Sequence, residues 1–357
     1  MNNEWSSLSA QLHGSFLDRQ IRRANRNLLL FNLLLIVGLG GYAMAEWRYF
    51  YNFFAGLVEA SAESLDGIQR PDEQLRYFVR VRGEKSLDTG MQEIKEETRN
   101  GVHSKSVEAK YSILFLGKRL LIVKRNPGDN GTTLQGAIGE LPSDVRAGIL
   151  DPLVKQYPNA TEAFLPVMLD ATSFRSDGYI ALVICIPLTL LAVWNITKVI
   201  RRRAAPAVHP IVQSVSRYGP LFDTVHQFDF ELRGSTVKFG KATVTTSWVF
   251  LPSAFGLAVC HIPDLVWAYK KVTTRRRNSQ VTGTTYDVIM YDRYAASLQM
   301  RADQKKTDQM LNVLLERAPW AIFGYSDELD KTRRKNWDRL VGAVDAKRSG
   351  VSIGRSA

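Results

Sequence analysis

The chain has 357 residues, which is enough for two ordinary domains together with anchoring segments. Its mean hydropathy is slightly negative, which argues against a transporter with many spans and allows a few spans joined to soluble domains. The net charge is +12, and the whole excess of basic residues lies in residues 198–357. Such an excess is typical of a chain that binds nucleic acid or of one whose basic residues attract an anionic membrane leaflet and set the orientation of the chain, and we favour the second explanation.

Residues 1–26 are predicted to be a cytoplasmic N-terminal segment, and residues 27–45 a first transmembrane helix. This uncharged run of 19 residues would extend about 28 Å as a helix, close to the thickness of the hydrocarbon core. A cleaved signal peptide is an alternative for this span alone, because Ala43-Met44-Ala45 has the form of a signal-peptidase site. Cleavage would leave one span with the same orientation.

Residues 46–177 are predicted to form a small α+β domain. Apolar residues at helical spacing predict a helix that reaches Leu65, and two strands are expected around a turn at Gly117. A further helix is expected to start at Ser143 and to end or kink at Pro152. Neither cysteine of the chain lies in this domain, so its hydrophobic core has to hold it together without disulfides.

The tripeptide Asp88-Thr89-Gly90 resembles the active-site motif of retroviral-type aspartic proteases. That chemistry needs a second carboxylate facing the first, and the chain has no second copy of the motif. Asp and Gly also suit a turn at the end of a strand, which is the interpretation that we favour. A membrane-anchored hydrolase that uses Asp88 remains the alternative function.

A second transmembrane helix is predicted within residues 178–200, where the uncharged run 179–197 contains Pro187 as a kink point. Basic residues flank both runs, and six are expected to set the orientation of the chain: Arg22, Arg23, Arg26, Arg201, Arg202 and Arg203. Under the positive-inside rule these clusters stay in the cytoplasm. The sequence therefore predicts a multi-pass protein of the plasma or inner membrane, with both termini cytoplasmic and residues 46–177 on the far side.

The C-terminal tail begins with a Pro/Ala-rich linker and a short helix, assigned to residues 201–229. Segments rich in β-branched and aromatic residues follow, separated by turn residues, and are predicted to be strands. Val244 and Phe250 fit a period of two, so residues 242–251 are expected to form one half-buried strand. Two amphipathic helices close the chain, the second within residues 321–357.

Several antiparallel strands followed by an amphipathic helix, at residues 230–320, resemble the PH-like domains of bacterial membrane proteins of unknown function. The resemblance rests on the strand order, on the segment IPDLVWAY at 262–269 and on the closing helix. The whole layout also resembles an uncharacterised two-span bacterial family. The resemblance implies an antiparallel sheet or barrel capped by a helix and used for binding or assembly, and it implies no catalytic residues.

The segment DLVWAYKKVT is predicted to be a strand, and a break is expected after it at Arg275–Asn278, where a loop would join two strands. The densest basic cluster of the tail lies here, and its members are Lys270, Lys271, Arg275, Arg276 and Arg277. Near a membrane, such a loop would contact anionic head groups, at about 1 kcal/mol for each basic residue. A solvated loop without a ligand is the alternative. Nucleic acid is a weaker candidate, because core packing explains the neighbouring Trp267 and Tyr269.

No motif in the sequence indicates a catalytic site, a nucleotide site or a metal site. Cys260 and His261 are neighbours, but adjacent strand residues point to opposite faces of a sheet and do not share a metal ion. We therefore expect no cofactor and no metal. The expected function is that of a non-enzymatic membrane protein whose outer domain binds or senses and whose tail associates with the membrane surface or with a protein partner.

Overall fold

A computed structural model of the chain describes residues 12–99, 102–277 and 280–350. It confirms the expected mixed α+β class. The chain divides into two compact units: the middle unit, Leu35–Leu191, and the terminal unit, which joins Met1–Leu34 to Ala192–Ala357.

The first long helix, α1 (Phe16–Ala45), contains the predicted first span and starts well before it. Its most apolar stretch is almost entirely unburied, with 6% of that window inside the protein. Val37, for example, exposes 69% of its surface. The core helix of a soluble protein would be mostly buried, whereas α1 is long and apolar enough to cross a membrane.

The middle unit is built on one mixed sheet in the order β1-β2-β6-β7-β5-β4-β3, in which β1 is parallel to β2 and β5 is parallel to β7. Its elements are α2 (Trp47–Ala55), β1 (Val58–Ala60), α3 (Ala62–Asp66), β2 (Phe78–Arg82), β3 (Lys85–Arg99), β4 (Val102–Leu116), β5 (Arg119–Arg125), β6 (Thr133–Glu140), α4 (Ser143–Val145), α5 (Asp151–Gln156), α6 (Ala160–Ala163) and β7 (Phe164–Asp170).

Both faces of this sheet are covered by apolar side chains. Ile113 and Leu114 are neighbours on β4 and enter different cores, because adjacent strand residues point to opposite faces. Leu114 lies with Leu65 of α3, and Ile113 lies with Ile149 from the helical segment between α4 and α5. The sheet therefore supplies the hydrophobic core on which this cysteine-free domain depends.

The expected turn between β4 and β5 is confirmed, with Gly117 at a φ of 65°. The continuous helix expected to reach Leu65 is wrong. Helix α2 ends at Gly56, whose φ of 77° favours glycine, and a short strand precedes the next helix. Pro152 does not end the helix, because helical turns continue from Ser143 to Gln156. The turn directly before the proline is widened, with the Asp151 N–H bonded to the Arg146 carbonyl, and widened turns are typical where a helix departs from its regular hydrogen bonding.

The second long helix, α7 (Ser176–Ala204), contains the predicted second span with Pro187 inside it. Of its most apolar window, 11% is buried, and Val183 exposes 73% of its surface. This helix too is long and apolar enough to cross a membrane.

The remainder of the terminal unit has two four-stranded sheets, in the orders β11-β10-β9-β8 and β14-β13-β12-β15. All strand pairs are antiparallel except the pair of β12 with β15. The elements are α8 (Pro210–Ser216), α9 (Leu221–Arg233), β8 (Val237–Phe239), β9 (Ala242–Val244), β10 (Trp248–Pro252), β11 (Leu257–His261), β12 (Leu265–Arg277), β13 (Gln280–Asp292), β14 (Ser297–Ala302), α10 (Gln304–Arg317), β15 (Ile322–Phe323), α11 (Asp327–Lys335) and α12 (Trp337–Arg348).

The two sheets and α10 share a central core, in which Val249 and Met290 pack with Leu314. Helix α12 covers the second sheet from outside, where Leu340 packs in a cluster with Trp267. The predicted boundary at residue 320 is therefore too early, because β15 adds a strand to the second sheet beyond that point.

The single strand expected at 242–251 is also wrong. Residues 245–247 form a tight turn, and β9 pairs back on β10 with Val244 opposite Val249. Val244 consequently enters the central core, whereas Phe250 packs in a different cluster with Phe228 of α9. A period of two in the sequence cannot distinguish one strand from two short strands joined by a turn.

Candidate functional site

The first turns of α1 belong to the hydrophobic core of the terminal unit. Leu17 is fully buried, at 0% exposure, in a cluster that contains Phe228 and Phe250. Phe16 meets Phe250 edge-on, with ring centroids 5.3 Å apart. The backbone N–H of Phe16 donates to Asp229 Oδ1 over 2.8 Å. The described part of the predicted N-terminal segment, residues 12–26, is thus part of the C-terminal fold.

Further along α1, contacts with the turn between β10 and β11 continue. Asn27 Nδ2 donates to the carbonyl oxygen of Ala254 over 2.8 Å, and Phe31 meets Phe255 with ring centroids 6.0 Å apart. One turn later, Asn195 Nδ2 of α7 donates to Asn32 Oδ1 over 3.3 Å. These bonds fix the start of α1 to the β-rich part of the terminal unit and to the end of α7.

A cavity of about 650 Å³ lies between the start of α1 and the end of α7. We call it the arginine cavity, because six arginines line it: Arg19, Arg22, Arg23, Arg26, Arg202 and Arg203. Asp18 is the acidic residue of the lining and forms an ion pair with Arg22. Within the described parts of the chain, Arg23, Arg26, Arg202 and Arg203 have no ion pair. The cavity is therefore strongly electropositive.

Asn25 also lines the arginine cavity, and it is 4% exposed. Its Oδ1 atom is buried and has no hydrogen-bond partner among the residues that the structure describes. A buried acceptor without a donor costs about 1–3 kcal/mol. Asn25 thus keeps an unused acceptor next to the arginines of the cavity.

His209 lies close behind this cavity in the chain, and it is buried. Its Nδ1 accepts the backbone N–H of Ile211 over 3.1 Å and so caps α8. Burial, together with the charge of Arg202, lowers the pKa of His209 to about 4. The imidazole is therefore neutral at physiological pH, since burial disfavours its charged form and the charge of Arg202 disfavours it further.

Five of the six predicted orientation residues meet in the arginine cavity: Arg22, Arg23, Arg26, Arg202 and Arg203. Arg201 is exposed and is not part of the lining. Asp18 and Asn25 also line the cavity and were not predicted from the sequence. Helical spacing could have found them, because positions 18, 22, 25 and 26 lie on one face of a helix.

The break expected at Arg275–Asn278 is wrong for Arg275, Arg276 and Arg277, which belong to strand β12, whereas the predicted strand position of Lys270 and Lys271 is confirmed. Strand β12 runs through to Arg277 and pairs with β13 over this whole stretch, because Val272, Thr273 and Thr274 favour extended backbone. Lys270 Nζ bonds Asp308 Oδ1 of α10 over 2.7 Å, so this lysine is already paired. Lys271, Arg275 and Arg276 are exposed, and the side chain of Arg277 lies outside the described part of the chain.

Asp88 was predicted to lie in a turn at the end of a strand, but it lies within β3. The register of β3 with β4 shifts between Asp88 and Gln92, which marks a β-bulge with Gly90 at a φ of 76°. The Gly90 N–H donates to Asp88 Oδ1 over 2.9 Å, and Thr89 Oγ1 donates to the Tyr111 carbonyl over 2.7 Å. Asp88 is exposed and stabilises the bulge of an edge strand.

Over residues 12–99, 102–277 and 280–350, no group of three or more His, Cys, Asp or Glu side chains is placed to hold a metal ion. Cys260 is buried, and burial raises the pKa of its thiol well above the ordinary value. A protonated, buried thiol is a poor nucleophile, so Cys260 acts as a core residue.

A protein-family model described as "Domain of unknown function (DUF6709)" matches residues 229–333. The match runs from the end of α9 through both sheets and α10 into α11. No curated protein and no solved structure matches the chain. The β-rich part of the terminal unit is thus similar to a domain whose function is not described.

Proposed function

We propose that the chain is a non-enzymatic, two-span protein of the plasma or inner membrane. Both termini lie in the cytoplasm, and the middle domain, residues 46–177, lies on the far side, where it binds or senses a ligand. The terminal unit is a binding module of PH-like architecture that associates with the inner membrane surface or with a protein partner.

The observation that carries this proposal is the core shared by the two ends of the chain. Leu17 precedes the apolar part of α1, and Phe250 follows that of α7, yet both belong to one buried cluster. Two segments can pack together in water only if they lie on the same side of the membrane. A chain that crosses the bilayer twice returns to its starting side, so the shared core supports two spans with both ends together.

The same core argues against the signal-peptide alternative. Cleavage after Ala45 would remove Leu12 and Leu17 from a cluster that they complete with Val215 and Phe228. Apolar surface on α8 and α9 would then face water, at about 25 cal/mol for each Å² exposed. An uncleaved first helix avoids this cost.

The strand order supports the PH-like proposal. Strands β8 to β11 follow one another as an antiparallel meander, β12 to β14 form a second meander, and α10 closes the core between them. Such a sheet and helix scaffold suits binding or assembly, although a fold alone does not specify a partner.

The β12–β13 ribbon supports association with a membrane surface. Strand β14 pairs with β13 from Tyr286 onward, so the ribbon beyond Val272 is two-stranded in the described residues. Lys271, Arg275 and Arg276 are exposed along it. Exposed cations on a strand pair beside a membrane attract anionic lipid, at about 1 kcal/mol for each residue near the surface.

The full-length chain provides the test, because its N-terminal segment is part of the fold. Thr282 is exposed on the ribbon and can carry an environment-sensitive dye as Thr282→Cys, with both native cysteines changed to alanine. In phosphatidylcholine vesicles with phosphatidylglycerol, we expect spin-labelled lipid to quench this dye. In phosphatidylcholine alone we expect little quenching.

The matched variants are Arg275→Ser with Arg276→Ser, and as a control Lys305→Ser with Lys306→Ser, which removes the same charge from α10. We expect the first pair to abolish the effect of phosphatidylglycerol and the second pair to preserve it. Equal quenching in both lipid mixtures, or equal loss in both pairs, would remove the proposal that the ribbon contacts lipid.

No observation favours the hydrolase alternative. Its chemistry needs an Asp88 carboxylate that shares a proton with a second carboxylate, whereas this carboxylate is exposed and accepts the Gly90 N–H. We therefore propose a structural role for Asp88. The variant Asp88→Asn, which keeps an acceptor oxygen for Gly90, is expected to retain the thermal stability of the chain.

A further inference from the structure

We propose that the arginine cavity binds the head group of one anionic phospholipid, and that this head group carries a hydroxyl donor, as in phosphatidylglycerol. The proposal rests on the membrane insertion proposed above. It assigns a ligand to residues whose expected role was only to orient the chain.

The position of the cavity along the two helices matches the head-group layer. Arg22 lies five residues before the uncharged run that starts at Asn27, and Arg202 lies five residues after the run that ends at Thr197. At about 1.5 Å per residue, both arginines are about 7 Å beyond the hydrocarbon. The head-group layer on each side is about 5–8 Å thick. A lipid phosphate would therefore reach both arginines from the adjoining leaflet.

The charge of the cavity requires an anion. Six guanidinium groups line it against the single carboxylate of Asp18, which is already paired with Arg22. Arg23, Arg26, Arg202 and Arg203 have no ion pair in the described parts of the chain. Guanidinium groups bind phosphate oxygens with two parallel hydrogen bonds, and basic pockets between cytoplasmic helix ends suit lipid head groups.

Asn25 narrows the class of lipid. Asn25 lines the cavity, and its buried Oδ1 atom accepts no hydrogen bond in the described residues, so we infer that a ligand in the cavity supplies the missing donor when the amide turns towards it. A phosphodiester group has only acceptors at neutral pH, whereas a glycerol head group adds free hydroxyl donors. A volume of about 650 Å³ is within the range of small-molecule sites, so phosphate and glycerol fit together.

Native mass spectrometry of the delipidated full-length chain in detergent measures the binding. The lipid probes are phosphatidylglycerol, phosphatidylmethanol and phosphatidylcholine, and the soluble probe is glycerol 3-phosphate. Phosphatidylmethanol has the same phosphodiester charge as phosphatidylglycerol but lacks the free hydroxyls. We expect one tightly bound phosphatidylglycerol, weaker binding of phosphatidylmethanol, and little binding of the neutral lipid or the soluble phosphate.

Two arginines of one cluster give a matched pair. Arg202→Gln removes a charge that lines the cavity, and Arg201→Gln removes the same charge from an exposed neighbour outside it. We expect Arg202→Gln to weaken phosphatidylglycerol binding about five-fold, which corresponds to about 1 kcal/mol. We expect Arg201→Gln to bind like the unaltered chain.

Asn25→Leu tests the hydroxyl donor, because it keeps the shape of the side chain and removes the acceptor. We expect phosphatidylglycerol and phosphatidylmethanol to bind this variant equally. Thermal unfolding of each variant reports whether it folds, and the arginine pair tests the site even if Asn25→Leu does not fold.

Equal binding by Arg201→Gln and Arg202→Gln, or equal binding of the charged and neutral lipids by the unaltered chain, would overturn the lipid site. Equal binding of the two anionic lipids by the unaltered chain would overturn the role of Asn25. Binding of glycerol 3-phosphate as tight as that of the lipid would instead indicate a soluble ligand. Membrane insertion is tested separately by washing membranes with alkaline carbonate. If the wash extracts the chain, the proposed membrane insertion is wrong; if the chain stays in the membrane but binds no lipid in the cavity, only the lipid site is wrong.

Discussion

The substitution Leu17→Ala tests whether the N-terminal segment is part of the terminal unit. Leu17 is 0% exposed in a cluster with Phe228, Trp248 and Phe250, and Phe228 packs edge-on against the other two rings. Large-to-small changes of a buried leucine cost about 2–5 kcal/mol, since a cavity remains where the side chain was. For a unit of this size, a loss of about 3 kcal/mol in the free energy of unfolding lowers the unfolding temperature by about 6–12 °C.

The assay is thermal unfolding of the full-length chain in detergent, followed by tryptophan fluorescence, because Trp248 lies in the affected core. The matched control is Leu34→Ala on the same helix, whose side chain is 70% exposed. We expect the control to change the unfolding temperature little. If Leu17→Ala and Leu34→Ala unfold at the same temperature, the N-terminal segment does not pack on the C-terminal domain.

The remaining predictions concern a buried histidine, a crowded glycine and a buried carboxylate. The pKa of His209 is lowered from 6.5 to about 4, so folding stability should be full above pH 6.5 and fall towards pH 4, by up to about 1.4 kcal/mol per pH unit. His209→Asn, which keeps a capping acceptor, should flatten this slope in pH-dependent unfolding. Gly136→Ala should destabilise the middle unit by about 1–3 kcal/mol in chemical denaturation, because the new Cβ would clash with a backbone carbonyl oxygen. The control is Gly139→Ala on the same strand, where a Cβ would meet open space, and it should leave the stability unchanged. Tyr218→Phe should cost about 1–3 kcal/mol in the same assay, because the Tyr218 hydroxyl donates to the buried Asp292 carboxylate; unchanged stability would show that this bond contributes nothing.

Local features of the structure could be predicted from the sequence. The two long helices follow from uncharged runs, and the hairpin at Gly117 follows from two apolar segments around a turn residue. The strand that covers residues 264–273 was predicted, but its end was placed too early, because the arginines at 275–277 are typical of a loop. In a two-stranded ribbon both faces meet water, so charged residues are compatible with extended backbone there.

The long-range features could not be predicted in this way. Leu17 and Phe250 are far apart in sequence, and no local pattern shows that they share a core. The arginine cavity is an intermediate case. Each arginine cluster is visible in the sequence, but the meeting of Arg26 with Arg202 and the burial of Asn25 depend on how α1 and α7 pack within the terminal unit.

Labelling of single cysteines in spheroplasts with a membrane-impermeant maleimide decides on which side of the membrane each part of the chain lies. With the two native cysteines changed to alanine, the exposed positions for labelling are His13→Cys, Glu96→Cys and Glu316→Cys. We predict that Glu96→Cys reacts in intact spheroplasts and that the other two react only after permeabilisation. Reaction of all three under the same condition would contradict a two-span chain whose ends share one core.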